Sequence, residues 1–144
     1  MSIALEGMWQ SANAAGTPDV AAGIAGTTRD LVYRDGEQRR AERIFDFEAI
    51  RVWAKSGTAQ APALREAVDA DGDGRIAAGE RGAVVRAGNH AWAVALAGPA
   101  DGSPTLAAVA AVEYGGSGGK CAGPIVSQLF RAAQAEGYLP PEPD

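Results

Sequence analysis

The chain has 144 residues, is 47% hydrophobic and 22% charged, and carries a formal net charge of −5. That is enough chain and apolar content for one domain with its own core, and the acidic balance excludes a general affinity for nucleic acid. A single cysteine, Cys121, excludes an internal disulfide, and no run of about 18 apolar residues is present to span a membrane.

Residues 2–13 read as a helix, because Ile3, Leu5, Met8, Trp9 and Ala12 recur near a 3.6-residue period and leave one apolar face. Ser2 is its expected N-cap, and Gly16-Thr17-Pro18 its expected end. No basic segment followed by an apolar core precedes this helix, so no signal peptide is visible. Leu31-Val32-Tyr33 reads as a short strand, Arg34-Asp35-Gly36 as a turn, and the charged residues after it as a solvated segment. Ile44, Phe45 and Phe47 are candidate core residues.

A strand is expected over 50–58. It starts as the β-branched and aromatic run Ile50 to Ala54 and changes into Lys55-Ser56-Gly57-Thr58. A cation, a hydroxyl, a glycine and a second hydroxyl in succession suit a strand edge that binds an anion. Side chains alternate faces along a strand, and a glycine there marks close approach of a ligand or another backbone. Residues 62–67 are expected to form a helical turn opened by Pro62.

Asp69 to Glu80, Asp-Ala-Asp-Gly-Asp-Gly-Arg-Ile-Ala-Ala-Gly-Glu, fits the EF-hand calcium loop at each defining position. Ca²⁺ is a hard cation that takes oxygen ligands. Asp69, Asp71 and Asp73 hold loop positions 1, 3 and 5, and Gly74 allows the sharp turn at position 6. Arg75 offers its backbone carbonyl, Ala77 a bridging water, and Glu80 the bidentate carboxylate at position 12. The alternative is a plain acidic surface loop.

Ala91 to Leu96 reads as a strand with Trp92, Val94 and Leu96 on one face, and 98–104 as a turn region. Leu106 to Tyr114 is a near-continuous apolar run, expected to be a strand buried on both faces. The short connection between these two strands predicts an antiparallel hairpin. Gly115 to Gly119 is a flexible loop, and 122–136 an amphipathic helix with Ile125, Leu129, Ala132 and Ala133 inward. Pro140 to Pro143 reads as a frayed tail. The order helix, strands, helix predicts an α+β layer, an antiparallel sheet of about three strands packed by an N-terminal and a C-terminal helix.

The order of these features carries a resemblance. Lys55-Ser56-Gly57-Thr58-Ala59-Gln60 is followed by His90-Ala91-Trp92, then by the strand ending at Glu113, then by Gly115-Gly116-Ser117-Gly118-Gly119-Lys120 and Ala122-Gly123-Pro124-Ile125. This resembles the C-terminal part of the transpeptidase domain of class B penicillin-binding proteins, of the elongation type, whose Lys-Thr-Gly element appears here as Lys-Ser-Gly. Leu5 to Gln10 is similar to the helix before that strand. The resemblance covers about 1–16, 50–61 and 88–139, with 18–49 and 62–88 as insertions, the latter carrying the calcium-type loop. It implies a peptidoglycan stem peptide or a β-lactam as ligand and a periplasmic setting. Lys55 is implied as the electrostatic residue of the site. Ser56 and Thr58 are implied as donors to the substrate carboxylate, and Gly57 lets the substrate backbone approach.

Besides the insertions, three departures limit it. Thr17 is followed by Pro18, which disturbs a Gly-Thr-Ala segment. Ala93 follows Trp92 where the family has Phe. The Ser-x-x-Lys nucleophile motif and the Ser-x-Asn motif are absent from credible places. Ser117-Gly118-Gly119-Lys120 lies in a glycine loop, not the helix turn that brings a serine and its base together, and Ser11-Ala12-Asn13 ends the first helix. His90, the one histidine, and Cys121 both read as structural. The expectation is a transpeptidase piece without its own serine nucleophile, dependent on the remainder of its domain. The alternative is a non-catalytic calcium-binding interaction module.

Overall fold

A sheet of three antiparallel strands, in the order β3-β6-β7, organises the chain: β3 is Ile50–Gln60, β6 is Asn89–Pro99 and β7 is Leu106–Val112. The computed structural model describes residues 2–14, 27–77 and 79–143. Gly16, Thr17 and Pro18, expected to end the first helix, lie outside the described residues. Among the described residues two α-helices flank the sheet, α1 (Ile3–Asn13) and α2 (Gly123–Ala135). Two two-stranded ribbons, β1 (Asp30–Asp35) with β2 (Gln38–Arg43) and β4 (Leu64–Ala67) with β5 (Arg81–Arg86), complete an α+β architecture.

Alanine makes the core thin. Ala91, Ala93, Ala95 and Ala97 alternate along β6 and are all buried. They pair with Thr58, Ser56, Ala54 and Val52 of β3, and with Val112, Ala110, Ala108 and Leu106 of β7, so these residues share one face. With methyl groups in the middle strand, α2 comes close, and Val126 and Phe130 lie fully buried against that face. Ile125 and Leu129, expected inward, are 44% and 47% exposed. The row that meets the sheet is Gly123, Val126, Ser127 and Phe130, rotated about 100° per residue from Ile125 and Leu129.

The strand β7 corrects a second expectation. Its burial alternates, and Val109 is 59% exposed, so one face is covered and the other open. The apolar run comes from small alanines on an edge strand, not from a strand buried twice. Trp92 and Val94 of β6 open onto the same uncovered side.

Ser2 caps α1 by accepting from the Leu5 N–H at 3.4 Å. The helix lies along β3. Asn13 Nδ2 donates to the Val52 carbonyl at 3.1 Å, and the Arg51 guanidinium sits 5.5 Å from the Trp9 ring and 5.2 Å from the Trp53 ring. This cation-between-indoles arrangement ties the helix to the strand. The charged segment after Gly36 is an exposed strand, β2, paired along its length with β1. The C-terminal tail is not frayed. The Glu142 carboxylate accepts from the backbone N–H groups of Glu48 (2.8 Å) and Ala49 (3.2 Å) and from Gln134 Nε2 (2.8 Å).

Candidate functional site

Lys55 to Thr58 occupy β3, which pairs with β6 on one side and, among the described residues, forms an edge of its sheet. The chain leaves the core at this point: Val52, Trp53 and Ala54 are buried, Lys55 is exposed, Ser56 half-buried, and Gly57 and Thr58 exposed. The register puts Ser56 and Thr58 on the helix-covered face and Lys55 and Gly57 on the other. Lys55 Nζ turns back to donate to the Ser56 carbonyl at 2.6 Å.

The glycine loop lies directly behind this segment. A single π-helical turn, Gly118–Ala122, runs into α2. A Cβ on Gly118 would lie 2.3 Å from the Gly57 carbonyl oxygen and 2.3 Å from the Trp92 carbonyl oxygen. Only glycine lets the turn seat against β3 and β6. Ser117 and Lys120 are both exposed, and no hydrogen bond joins their side chains among the described residues. Cys121 is half-buried in the same turn. His90 Nδ1 accepts from the Tyr114 N–H at 3.0 Å, which steadies Tyr114 in its left-handed backbone at φ 53°. Its role here is structural.

A group of hydroxyls adjoins Ser56 that no spacing in the sequence announces. Ser56 Oγ lies 2.9 Å from Thr27 Oγ1, Thr27 Oγ1 lies 3.3 Å from Ser11 Oγ, and Ser11 Oγ lies 3.0 Å from the buried Thr28 Oγ1. Thr28 Oγ1 donates to the Ser11 carbonyl at 2.8 Å, and the Thr28 N–H reaches the same carbonyl at 3.1 Å. That carbonyl lies in the last turn of α1, where helix carbonyls run short of intrahelical donors. Ser11 and Asn13 therefore both serve to fasten α1, one through this group and one through Val52.

The acidic loop sits elsewhere, on the β4–β5 ribbon. The helical turn expected over 62–67 is instead the strand Leu64–Ala67. Its residues are all exposed, so no apolar helix face has anything to bury against, while pairing with β5 satisfies the backbone. The loop is thus held by a β ribbon and not by the helix pair of an EF-hand. Oxygens of Asp69, Asp71 and Asp73 lie within 4.8 Å of one another and could hold a metal ion. Asp69 accepts from the Gly72 and Gly74 N–H groups at 2.7 and 2.8 Å, and Asp73 from the Arg75 N–H at 2.8 Å. Gly72 and Gly74 take φ 75° and 80°, which glycine adopts without strain. Glu80 folds back over the loop and accepts from the N–H groups of Ala77, Ala70 and Asp71. Those bonds, the one from Ala77 foremost, hold its carboxyl below the usual glutamate value. Ala78 lies outside the described residues.

A cavity of about 260 Å³ opens near the start of β3, lined by Trp9, Arg43, Phe47 and Arg51 among others. None of Lys55 to Thr58 lines it. Among the described residues no helix is long and apolar enough to cross a membrane. No protein-family model, curated protein or solved structure matches the chain.

Proposed function

We propose that this chain is the C-terminal portion of a penicillin-recognising D,D-transpeptidase domain that works in the periplasm on peptidoglycan. In this reading it contributes the substrate-binding strand, and the serine nucleophile belongs to the remainder of the domain. The observation that carries the reading is the Lys55-Ser56-Gly57-Thr58 segment on an edge strand, with the backbone of Gly57 covered from behind by Gly118. An edge strand offers backbone N–H and C=O groups to an extended peptide, which binds as an added strand. Lys55 supplies positive charge for the terminal carboxylate of a D-Ala-D-Ala stem peptide or of a β-lactam. Ser56 and Thr58 supply hydroxyls beside it, Gly57 clears the approach, and N–H groups near Thr58 and Ala59 suit an oxyanion hole.

The chemistry stops at binding and orientation, since neither Ser117 nor Ser11 has a base within hydrogen-bond reach among the described residues. Intact-mass measurement after incubation with a reporter penicillin tests this. The unmodified mass is the expected result. A stoichiometric acyl adduct would place a nucleophile inside these residues, with Ser117 the first suspect, and would overturn the division of labour.

The acidic triad supports a second reading, a calcium-binding interaction module. The donor set fits the ion: carboxylate oxygens from Asp69, Asp71 and Asp73 converge, the turn glycine Gly74 has the required backbone, and Glu80 already lies against the loop. The Arg75 carbonyl and Glu80 would complete the oxygen shell of Ca²⁺. On its exposed ribbon the site would fix the shape of the inserted segment and not the chemistry on β3.

A further inference from the structure

Counting protons through the hydroxyl group beside Ser56 gives the direction of each bond. A hydroxyl has one proton to donate and two lone pairs. Thr28 donates its proton to the Ser11 carbonyl at 2.8 Å. In its 3.0 Å contact with Ser11 Oγ it can therefore only accept, so Ser11 donates to Thr28. With the Ser11 proton used, the 3.3 Å contact is made as a hydrogen bond only with Thr27 as its donor, the arrangement that satisfies all the contacts of the group at once. With the Thr27 proton used, the 2.9 Å contact requires Ser56 to donate to Thr27. Thr28 is fully buried, so water does not offer its hydroxyl a different partner. One carbonyl at the end of α1 thus sets the polarity of a chain that ends on the strand.

We infer that Thr27, backed by Ser11 and Thr28, turns the Ser56 proton inward, so that Ser56 meets a ligand as a hydrogen-bond acceptor. The ligand group it takes is then an N–H, such as the amide N–H of a peptide's last residue, and the terminal carboxylate falls to Lys55 and Thr58. This rests on the proposed peptide-binding role of β3 and changes one assignment within it, since Ser56 is otherwise a donor to the carboxylate. Successive hydroxyls donating in one direction polarise one another, which strengthens the acceptor at Ser56 by its neighbours' order and not by its own charge. Thr27 is a positioning residue in this account and touches no ligand.

The test uses the whole chain, ¹⁵N-labelled, and two ligands: an acyl-D-Ala-D-Ala peptide and its ester isostere, in which the last N–H is replaced by oxygen. The amide is expected to bind about three- to tenfold more tightly than the ester, the worth of one hydrogen bond between neutral groups. Ser56→Ala is expected to abolish that preference. Thr27→Val is expected to narrow it by freeing the Ser56 proton, and Thr27→Ser to restore it. Equal binding of amide and ester by the unaltered chain would overturn the inference, as would a preference that survives Ser56→Ala. If neither ligand moves the Lys55 to Ala59 signals, the peptide-binding reading falls and takes the inference with it. If both ligands bind there alike, the inference alone falls.

Discussion

Gly118 rests on the backbone of Gly57. A β-carbon at 118 would lie 2.3 Å from the Gly57 carbonyl oxygen and 2.9 Å from its nitrogen, far inside van der Waals contact. The turn that starts α2 and the strand that carries Lys55 are therefore fitted to each other without a side chain between them. Gly118→Ala must push the two apart. We expect a loss of roughly 2–3 kcal/mol, the upper part of the range for overpacking a close site, read from chemical unfolding. The Lys55 to Thr58 amide signals should move as well. A variant of unchanged stability would mean that the loop is not seated on the strand.

The bond between Glu142 and the Glu48–Ala49 backbone closes the tail over the core beside Leu139, which is buried. Burial pushes the Glu142 carboxyl up, but the hydrogen bonds from Gln134, Glu48 and Ala49, with Arg131 nearby, outweigh it and leave the group below its ordinary value. The sign follows from linkage. A carboxyl with a depressed folded value adds stability above the unfolded glutamate value of about 4.3 and loses it as pH falls through the lower folded value. Glu142→Ala should cost about 1 kcal/mol at pH 7, the worth of such bonds at a partly solvated site. The difference from the unaltered chain should shrink to nothing in acid, below that window. A cost that is the same at pH 7 and in acid would show that the carboxylate is not the tie.

Calcium should bind to the ribbon loop and protect it alone. Calorimetry of the unaltered chain should give heat for a single ion, lost in Asp69→Ala and in Glu80→Ala. Because β4 and β5 pair with each other and not with the main sheet, amide exchange should slow over 64–86 and change little in β6. Absence of any calcium heat in the unaltered chain would refute the site.

Local chemistry was the legible part of this protein. Apolar periodicity placed α1, alternation and β-branching placed β3 and β6, and the Lys-Ser-Gly-Thr run lay where a strand leaves the core. The misreadings share a physical cause. Alanine reads as apolar yet buries little surface, so the run in β7 suggested double burial where one face is open. Ile125 and Leu129 read as the inward pair, but the row buried against the alanine-lined strand is Gly123, Val126, Ser127 and Phe130, in which one large ring and small neighbours fill the space together. The turn expected at 62–67 became a strand because pairing with β5, a dozen or more residues onward, decides it. Thr27 and Ser11 could not be foreseen beside Ser56, as those contacts join segments far apart in the chain through side chains with no spacing rule.

The most direct test of the central claim is an amide-resolved titration of the labelled chain with an acyl-D-Ala-D-Ala peptide. The account predicts saturable shifts centred on Lys55, Ser56, Gly57 and Thr58, weakened by Lys55→Ala and by Thr58→Val while the rest of the spectrum stays folded. Shifts absent at millimolar peptide, or centred away from β3, would contradict it.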